Sequence, residues 1–310
     1  MALLARGRTP GTFTGSRRFQ GCRRIALVLV ALAVLAHPGW GQELPGTAHL
    51  QVLEQLPPEL RGQAGVRLDL TVLFTAYRDY CQAVEVDKNG KLYLVMRDKT
   101  RIIYDDGRSK TFEEKLAHPD LEDMLSQLYP LGEPAPDFRP DYDPGRFRVT
   151  AFFNAVYGGS AAQVKRQMTP VPFTGQTVQF NGRNGAAAAL AKVGAQLAEL
   201  IRREPDLRRY LFPLGGCFAW RVIAGTERLS PHSWAAAIDL NPQQGAYWRW
   251  QKNSSAAAII QLRRSYPYKI VKIFEAAGFI WGGKWSHYDL MHFEYRPELL
   301  LKSRLAGAAP

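Results

Sequence analysis

Two histidines and two aspartates in the last third of the chain have the types and spacing of a metal-dependent hydrolase. They lie in Ser230-Pro231-His232, then Asp239, then Asp289-Leu290-Met291-His292-Phe293-Glu294. Two imidazoles and one carboxylate satisfy a catalytic zinc ion, because three protein ligands leave the fourth tetrahedral position open for water. Zinc lowers the pKa of that water to about 7, so hydroxide forms at neutral pH without a strong base in the protein. A further carboxylate must still take the proton and hand it to the leaving amine. Asp289 is the candidate, three residues before His292; in a turn or helical segment this spacing puts both side chains on one side of the backbone. His292-Phe293-Glu294-Tyr295 alternates like a strand, with His292 and Glu294 on one face and Phe293 toward a core. Glu294 is thereby placed to orient an imidazole through its free ring nitrogen.

Each of these residues has a second reading. A histidine beside apolar residues is more often a hydrogen-bonded structural group than a ligand. Only six histidines occur in the chain, and three of them, His232, His287 and His292, share one segment with Asp239 and Asp289. The spacing matches neither paired cysteines nor the helical two-histidine motif, so spacing alone leaves a metal site and a set of structural histidines both open.

The conjunction of motifs is more specific than any single spacing. Ser230-x-His232-x6-Asp239, then Trp281-Gly282-Gly283-Lys284-Trp285, then Asp289-x-x-His292-Phe293-Glu294 resembles the D-alanyl-D-alanine carboxypeptidase and L-alanyl-D-glutamate endopeptidase group of zinc peptidases. That group shares its fold with the vancomycin-resistance dipeptidases and the amino-terminal Hedgehog domain. The resemblance covers roughly Phe218 to Leu300. It implies His232, Asp239 and His292 as zinc ligands and Asp289 as general base. Arg221, eleven residues before His232, matches the family arginine that binds the substrate carbonyl and stabilises the oxyanion. Where many relatives carry Gly three residues after the first histidine, this chain has Ala235, a change that bears on the local turn and not on the ligands. Ser230 is expected either to orient His232 or a substrate amide, or to stabilise the turn with its hydroxyl.

The implied reaction is hydrolysis of an amide bond in the stem peptide of peptidoglycan. Hydroxide adds to the scissile carbonyl, Arg221 and the metal hold the oxyanion, and Asp289 shuttles the proton, with Glu294 or His287 as alternative bases. Removal of a terminal D-alanine is the leading expectation. The alternatives are an L-Ala-D-Glu type endopeptidase and a non-catalytic wall-binding protein on the same fold, which would keep the sheet but have no use for Asp289. A carboxypeptidase must also recognise a terminal carboxylate. Arg228 and Lys284, flanking the two halves of the site in sequence, are the nearest cations once Arg221 is assigned to the carbonyl; either is equally readable as a solvated surface charge.

The rest of the chain agrees with an exported enzyme. Ile25 to Ala36 is a twelve-residue apolar run preceded by six arginines and no acid, the pattern of a signal peptide and too short for a comfortable membrane span; no membrane span is expected after cleavage, and an uncleaved membrane anchor is the alternative. Small residues in Gly39-Trp40-Gly41 put the expected cleavage after Gly41. The expected destination is the periplasm or cell envelope. Arg17-Arg18-Phe19 hints at twin-arginine export, although an ordinary positive leader explains it as well. Removing the six leader arginines takes the formal charge from +12 to 12 − 6 = +6. Nucleic acid is not needed to explain that balance; attraction to anionic wall polymers and dispersed solubilising charge both do so. Outside the leader, which holds Cys22, the cysteines are Cys81 and Cys217, either a disulfide pair or two separately buried thiols.

The expected architecture is α+β: a small antiparallel sheet bearing the zinc site, flanked by helices, with an amino-terminal α/β accessory region. Residues 42–145 form that region and residues 146–310 the peptidase domain. Strands are expected at Cys81–Asp87 and Lys91–Met96, joined through Asn89-Gly90, with a third at Thr100–Tyr104. Thr111-Phe112-Glu113-Glu114 reads as a capping box opening a short helix, followed by a helical stretch from Leu121 to Leu128. Pro134, Pro136, Pro140 and Pro144 break regular structure between Leu131 and Gly145. Asn184 is expected to cap an alanine-rich helix reaching Arg203, with Leu190, Val193, Leu197 and Leu200 toward the core. Tyr268 to Ala277 reads as another helix, ended by Gly278. Tyr247, Trp248 and Trp250 either line a substrate groove or belong to the core.

Overall fold

Asn89-Gly90 turns the chain between two strand-forming runs, Cys81–Val86 and Leu92–Met96. In the computed structural model, which describes residues 47–133, 139–251 and 254–307, this hairpin is the centre of the amino-terminal half. Helix α1 (Ala64–Ala76) precedes it, and β1 (Cys81–Val86), β2 (Leu92–Met96) and β3 (Arg101–Ile103) form an antiparallel meander. Gly90 takes a φ of +77° that an L side chain rarely adopts. The expected leader, its cleavage point, Cys22, Pro134 and Pro136 lie outside the described residues. Among the described residues, no helix is long and apolar enough to cross a membrane.

Two short helices follow, each opened by a reciprocal cap. Thr111 accepts from Glu114 N and Glu114 reaches back to Thr111 N at the start of α2 (Phe112–Ala117); Asp120 and Asp123 do the same for α3 (Leu121–Leu125). The Lys110 ammonium is 2.9 Å from Asp106, 2.8 Å from Asp120 and 2.6 Å from Asp123, and Lys115 adds a contact of 3.0 Å to Asp123. The carboxylates in this loop are close enough together to suggest a metal site, but Lys110 and Lys115 already supply the positive charge.

The second half begins with α4 (Thr150–Tyr157) and α5 (Ala161–Gln167), then a hairpin of β4 (Met168–Phe173) and β5 (Gln176–Asn181) turning at Thr174-Gly175, where both φ values are positive. Helix α6 (Ala186–Arg203) packs on it, burying Leu190, Val193 and Leu197 while Leu200 is partly buried. Asn184 is not its cap: Gly185 holds the N-cap in a left-handed conformation, and Asn184 sits one residue earlier with φ +52° in a short 3-10 turn. The hairpin and this turn fix where the helix enters, so the side-chain cap expected at Asn184 is replaced by backbone geometry.

The last sheet carries the site. β6 (Ala237–Asp239), β7 (Phe279–Trp281) and β8 (His292–Tyr295) are antiparallel in the order β6-β8-β7. Helices α7 (Ala256–Ser265) and α8 (Tyr268–Ala276) precede β7, Gly278 ends α8 with φ +97°, and α9 (Pro297–Gly307) follows β8. Phe293 stacks on Phe274 with ring centroids 3.9 Å apart, so one face of the sheet is core.

Helix α9 ties the two halves together. Tyr77 donates to Glu298 at 2.7 Å, Arg296 pairs with Glu298 at 2.5 Å and donates to the Gly145 carbonyl at 2.6 Å, and Lys302 pairs with Asp69 and donates to the Leu125 carbonyl. One contiguous core runs from Val52 to Leu300. The architecture is α+β, as expected. Cys81 and Cys217 are separate buried thiols, which settles the pairing alternative.

The Lys110 side chain is 1% exposed and those of Asp120 and Asp123 are 4% exposed, so Lys110→Ala is expected to cost about 3–5 kcal/mol by leaving buried carboxylates unpaired. Burial raises Asp123, but Lys110 and Lys115 outweigh it and hold the carboxyl below its usual range. A carboxyl lowered by folding stabilises above the unfolded pKa, and that contribution is lost as pH falls through the folded value. Urea denaturation is therefore expected to show the parent losing stability below about pH 4, and the Lys110 variant losing less there. Equal stability of parent and variant at neutral pH would contradict the role of this cluster.

Candidate metal centre

Asp239 and His292 are directly opposed in the antiparallel register of β6 and β8. Opposed residues share a face of the sheet, so this carboxylate and imidazole lie side by side while Ile238 and Phe293 point to the core. His232 arrives from a different element, a single 3-10 turn over Pro231–Trp234. Ser230 caps that turn, its Oγ accepting from the His232 N–H at 3.4 Å, and Ser230 N–H donates to the Arg221 carbonyl at 3.0 Å. Ala235 ends the turn with φ +49°, a left-handed conformation that favours glycine. The chain therefore keeps the turn with an alanine in it, held by Ala235 N–H to the His232 carbonyl at 3.1 Å and by the Ala235 carbonyl to Asn181 N–H at 2.9 Å.

Three ligand atoms converge. His292 Nδ1 is 2.9 Å from Asp239 Oδ1, His232 Nε2 is 3.2 Å from the same oxygen, and the two imidazole nitrogens are 3.3 Å apart. Around a zinc ion with bonds of about 2.0–2.2 Å, tetrahedral ligands stand roughly 3.3–3.6 Å from one another; the triad outlines one face of such a tetrahedron, slightly contracted. The opposite nitrogen of His232, Nδ1, lies 3.4 Å from the Cys217 carbonyl, which favours the tautomer that leaves Nε2 free to ligate. Electrostatics fit a cation as well. Burial works to raise Asp239, but the imidazoles hold it well below the carboxylate range. Burial works to lower His292, but Asp239 and Glu294 carry it up to about 9. The carboxylates thus favour a proton on His292, which a metal would displace on binding.

Asp289 lies beside this triad without belonging to it. Gly282 makes its position possible: Asp289 N–H donates to the Gly282 carbonyl at 3.0 Å, and a Cβ on Gly282 would stand 2.6 Å from the Asp289 carbonyl oxygen. A Cβ on Gly283 would stand 2.2 Å from the Trp281 ring. The glycine pair in Trp281-Gly282-Gly283 is therefore a steric requirement of the loop that carries Asp289. Burial, with Asp239 adding to it against His292, pushes the Asp289 carboxyl up to about 7, and its Oδ1 is buried with no hydrogen-bond partner among the described residues. A carboxyl poised near neutral pH can both accept and return a proton.

Residues 224–295 match the family model of D-alanyl-D-alanine carboxypeptidase. The match supports the zinc peptidase family that the motifs resemble. No curated protein and no solved structure matches the chain. The matched span contains the triad, Ser230, Arg228, Asp289 and Glu294 and begins after Arg221, and it supports a carboxypeptidase-like peptidase.

The surrounding residues divide into braces and surface groups. Glu294 is buried, with Oε2 3.8 Å from His292 Nε2, longer than a hydrogen bond. Arg148 grips it in a two-pronged pair, 2.8 Å to Oε1 and 2.5 Å to Oε2. Burial would raise Glu294; Arg148 above all holds it low. His287 is outside the triad: Asp143 accepts from its backbone N–H at 3.0 Å and contacts Nδ1 at 2.7 Å, and its ring lies 5.4 Å from Phe112 and 4.7 Å from Trp248. Arg221 reaches the site through its backbone, with N–H to Ser233 Oγ at 3.0 Å, while the residue itself is exposed.

Lys284 corrects an expectation. Its ammonium is buried against Glu275 at 2.6 Å and donates to the carbonyls of Pro130 and Gly132 at 2.7 and 2.6 Å. It cannot serve a substrate carboxylate, because Glu275 and the Pro130 and Gly132 carbonyls take its donors. Trp248 is half-buried and packs against the core, Tyr247 is half-buried and Trp250 is 62% exposed, so the cluster runs from the core to the surface. Arg148, Arg146 and Asp143 were not singled out from sequence; the alternation Arg146-Phe147-Arg148 after the prolines is the one local hint.

Zinc competition against a chelator is expected to report one tight site per chain, lost in His292→Ala because two ligands make a poor site. Arg148→Ala is expected to weaken zinc binding by about 10–100-fold, the usual effect of removing a group that positions a ligand. Equal zinc affinity in parent and His292→Ala would overturn the ligand assignment.

Proposed function

We propose that the protein is a zinc peptidase that hydrolyses an amide bond in the stem peptide of peptidoglycan, most closely as a D-Ala-D-Ala carboxypeptidase. The observation that carries the proposal is the pairing of a three-ligand face, with edges of 2.9 to 3.3 Å, with a separate buried carboxyl pushed up to about 7. A metal-dependent hydrolase needs both parts. A wall-binding protein gains nothing from burying Asp289 without a hydrogen-bond partner on Oδ1, since such a group costs stability.

When bound, zinc supplies Lewis acidity and brings the pKa of water to about 7. His232 through Nε2, Asp239 through a carboxylate oxygen and His292 through Nδ1 are the groups that hold it. The Cys217 carbonyl orients His232, and Arg148 with Glu294 limits how His292 can turn. Asp289 takes the proton as water attacks the carbonyl and returns it to the leaving amine. Arg221 is assigned to the substrate carbonyl, its exposed guanidinium being free to meet the peptide. Residues 1–41 act as leader, residues 42–145 as an accessory region bracing the site, and residues 146–310 as the peptidase domain; export to the periplasm or cell envelope would bring the enzyme to its substrate.

The test is digestion of purified muropeptides by the zinc-loaded protein, read by mass spectrometry. Loss of a terminal alanine is expected, and intact muropeptides at full zinc occupancy would overturn the proposal. Asp289→Asn keeps the side-chain volume and removes the proton acceptor, so zinc is expected to stay bound while kcat falls by about two to four orders of magnitude. Parent-like turnover in that variant would move the base elsewhere.

A further inference from the structure

Arg146, Arg148 and Arg249 lie close enough to Arg228 for their charges to act on it, and those three are accounted for. Arg146 pairs with Asp143 at 2.8 Å, and Arg148 pairs with Glu294. Arg249 donates to the Ala224 carbonyl at 3.3 Å and lies over the Trp248 ring at 5.3 Å. Arg228 is the exception. It is half-buried, and among the described residues no carboxylate or carbonyl accepts from its guanidinium.

Its backbone is well fixed. Val222 and Leu229 form a bridge, the Arg228 carbonyl accepts from Ile223 N–H at 2.8 Å, and its N–H donates to Thr226 Oγ1 at 3.2 Å. The strand then runs directly into Ser230 and the His232 turn. Arg249 fastens the tip of this hairpin to the segment that carries Tyr247, Trp248 and Trp250. Tyr247 in turn bridges to Asp289, and the exposed Trp250 stacks edge-on to it at 5.6 Å. Hairpin, aromatic segment and the loop that carries Asp289 are thus linked through Arg249 and Tyr247.

Burial, then Arg148, Arg146 and Arg249, bring the Arg228 guanidinium down to about 10, with Tyr247 opposing. The field of Arg146 also reaches Asp289. A partly desolvated guanidinium among like charges is unfavourable until an anion arrives, and a planar fork with free donors matches a carboxylate. We propose that Arg228 binds a carboxylate of the peptide substrate, and that Arg146, Arg148 and Arg249 favour this anion from around it. The assignment rests on the peptidase function proposed above and makes Arg228 a specificity residue within it. Two carboxylates of a stem peptide have the right chemistry: the chain terminus, engaged by a carboxypeptidase, or the free α-carboxyl of a glutamyl residue, engaged by an endopeptidase.

The experiment compares kcat and KM for stem peptides in the free-acid form, with the terminus amidated, and with the glutamyl carboxyl amidated. The parent is expected to lose about 10–100-fold in kcat/KM, mainly through KM, for the one amide that removes the recognised carboxylate. In Arg228→Ala that acid-to-amide ratio should fall to near one, and Arg228→Lys should recover part of it. Arg228→Gln, which keeps a neutral polar side chain on the hairpin, guards against a folding defect, with zinc content and Tm measured for each variant. The same acid-versus-amide comparison with an uncleavable reduced-amide peptide, read by calorimetry, tests binding without turnover. An unchanged acid-to-amide ratio in the variants, in either format, would overturn the Arg228 assignment alone. A zinc-loaded parent that cleaves no stem peptide would overturn the peptidase function, while calorimetry would still decide Arg228.

Discussion

The site depends on the register of two short strands. Ala237 pairs with Glu294, Ile238 with Phe293 and Asp239 with His292. A slip by one residue would send Asp239 or His292 into the core, because successive strand side chains face opposite ways. Phe293, stacked on Phe274 and fully buried, fixes the register from the apolar side. The hydrophobic pattern therefore sets the position of two polar side chains, Asp239 and His292, and the His232 turn needs only to present one nitrogen to a pair already in place.

Bracing this sheet requires buried polar contacts, and residues 129–145 supply several of them. Asp143 holds His287, the Pro144 carbonyl accepts from Trp285 Nε1 at 2.8 Å, and the Gly145 carbonyl accepts from Arg296. Tyr129 donates to Glu275 at 2.6 Å and accepts from Trp281 N–H at 3.0 Å, next to the loop that bears Asp289. Such contacts stabilise little by themselves, but removing one partner leaves the other buried and unpaired. Residues 129–145 therefore limit how far the strands and the loop that carries Asp289 can drift from one another.

Features set by near neighbours were legible in sequence. The Asn89-Gly90 hairpin, the Thr111 cap, the end of α8 at Gly278 and the alternation of β8 each depend on residues a few positions apart, and the conjunction of His232, Asp239, Asp289 and His292 pointed to one site. What was not legible depends on distant partners. Nothing near Lys284 shows that Pro130 and Gly132 will take its donors, and nothing near Glu294 announces Arg148. The β4–β5 hairpin escaped because Pro170 and Pro172 argue against a strand; in a two-stranded ribbon they are tolerated opposite Gln179 and Thr177. Asn184 carries a cap signal that backbone geometry at Gly185 overrides.

The central claim is that His232, Asp239 and His292 are ligands of one metal ion with an open position toward Asp289. Crystals of the zinc-loaded protein, measured on either side of the zinc absorption edge, test it most directly. A single anomalous peak is expected within about 2.0–2.2 Å of His232 Nε2, an Asp239 carboxylate oxygen and His292 Nδ1, with Asp289 outside bonding distance. A peak bonded to other residues, or none with zinc in excess, would contradict the account.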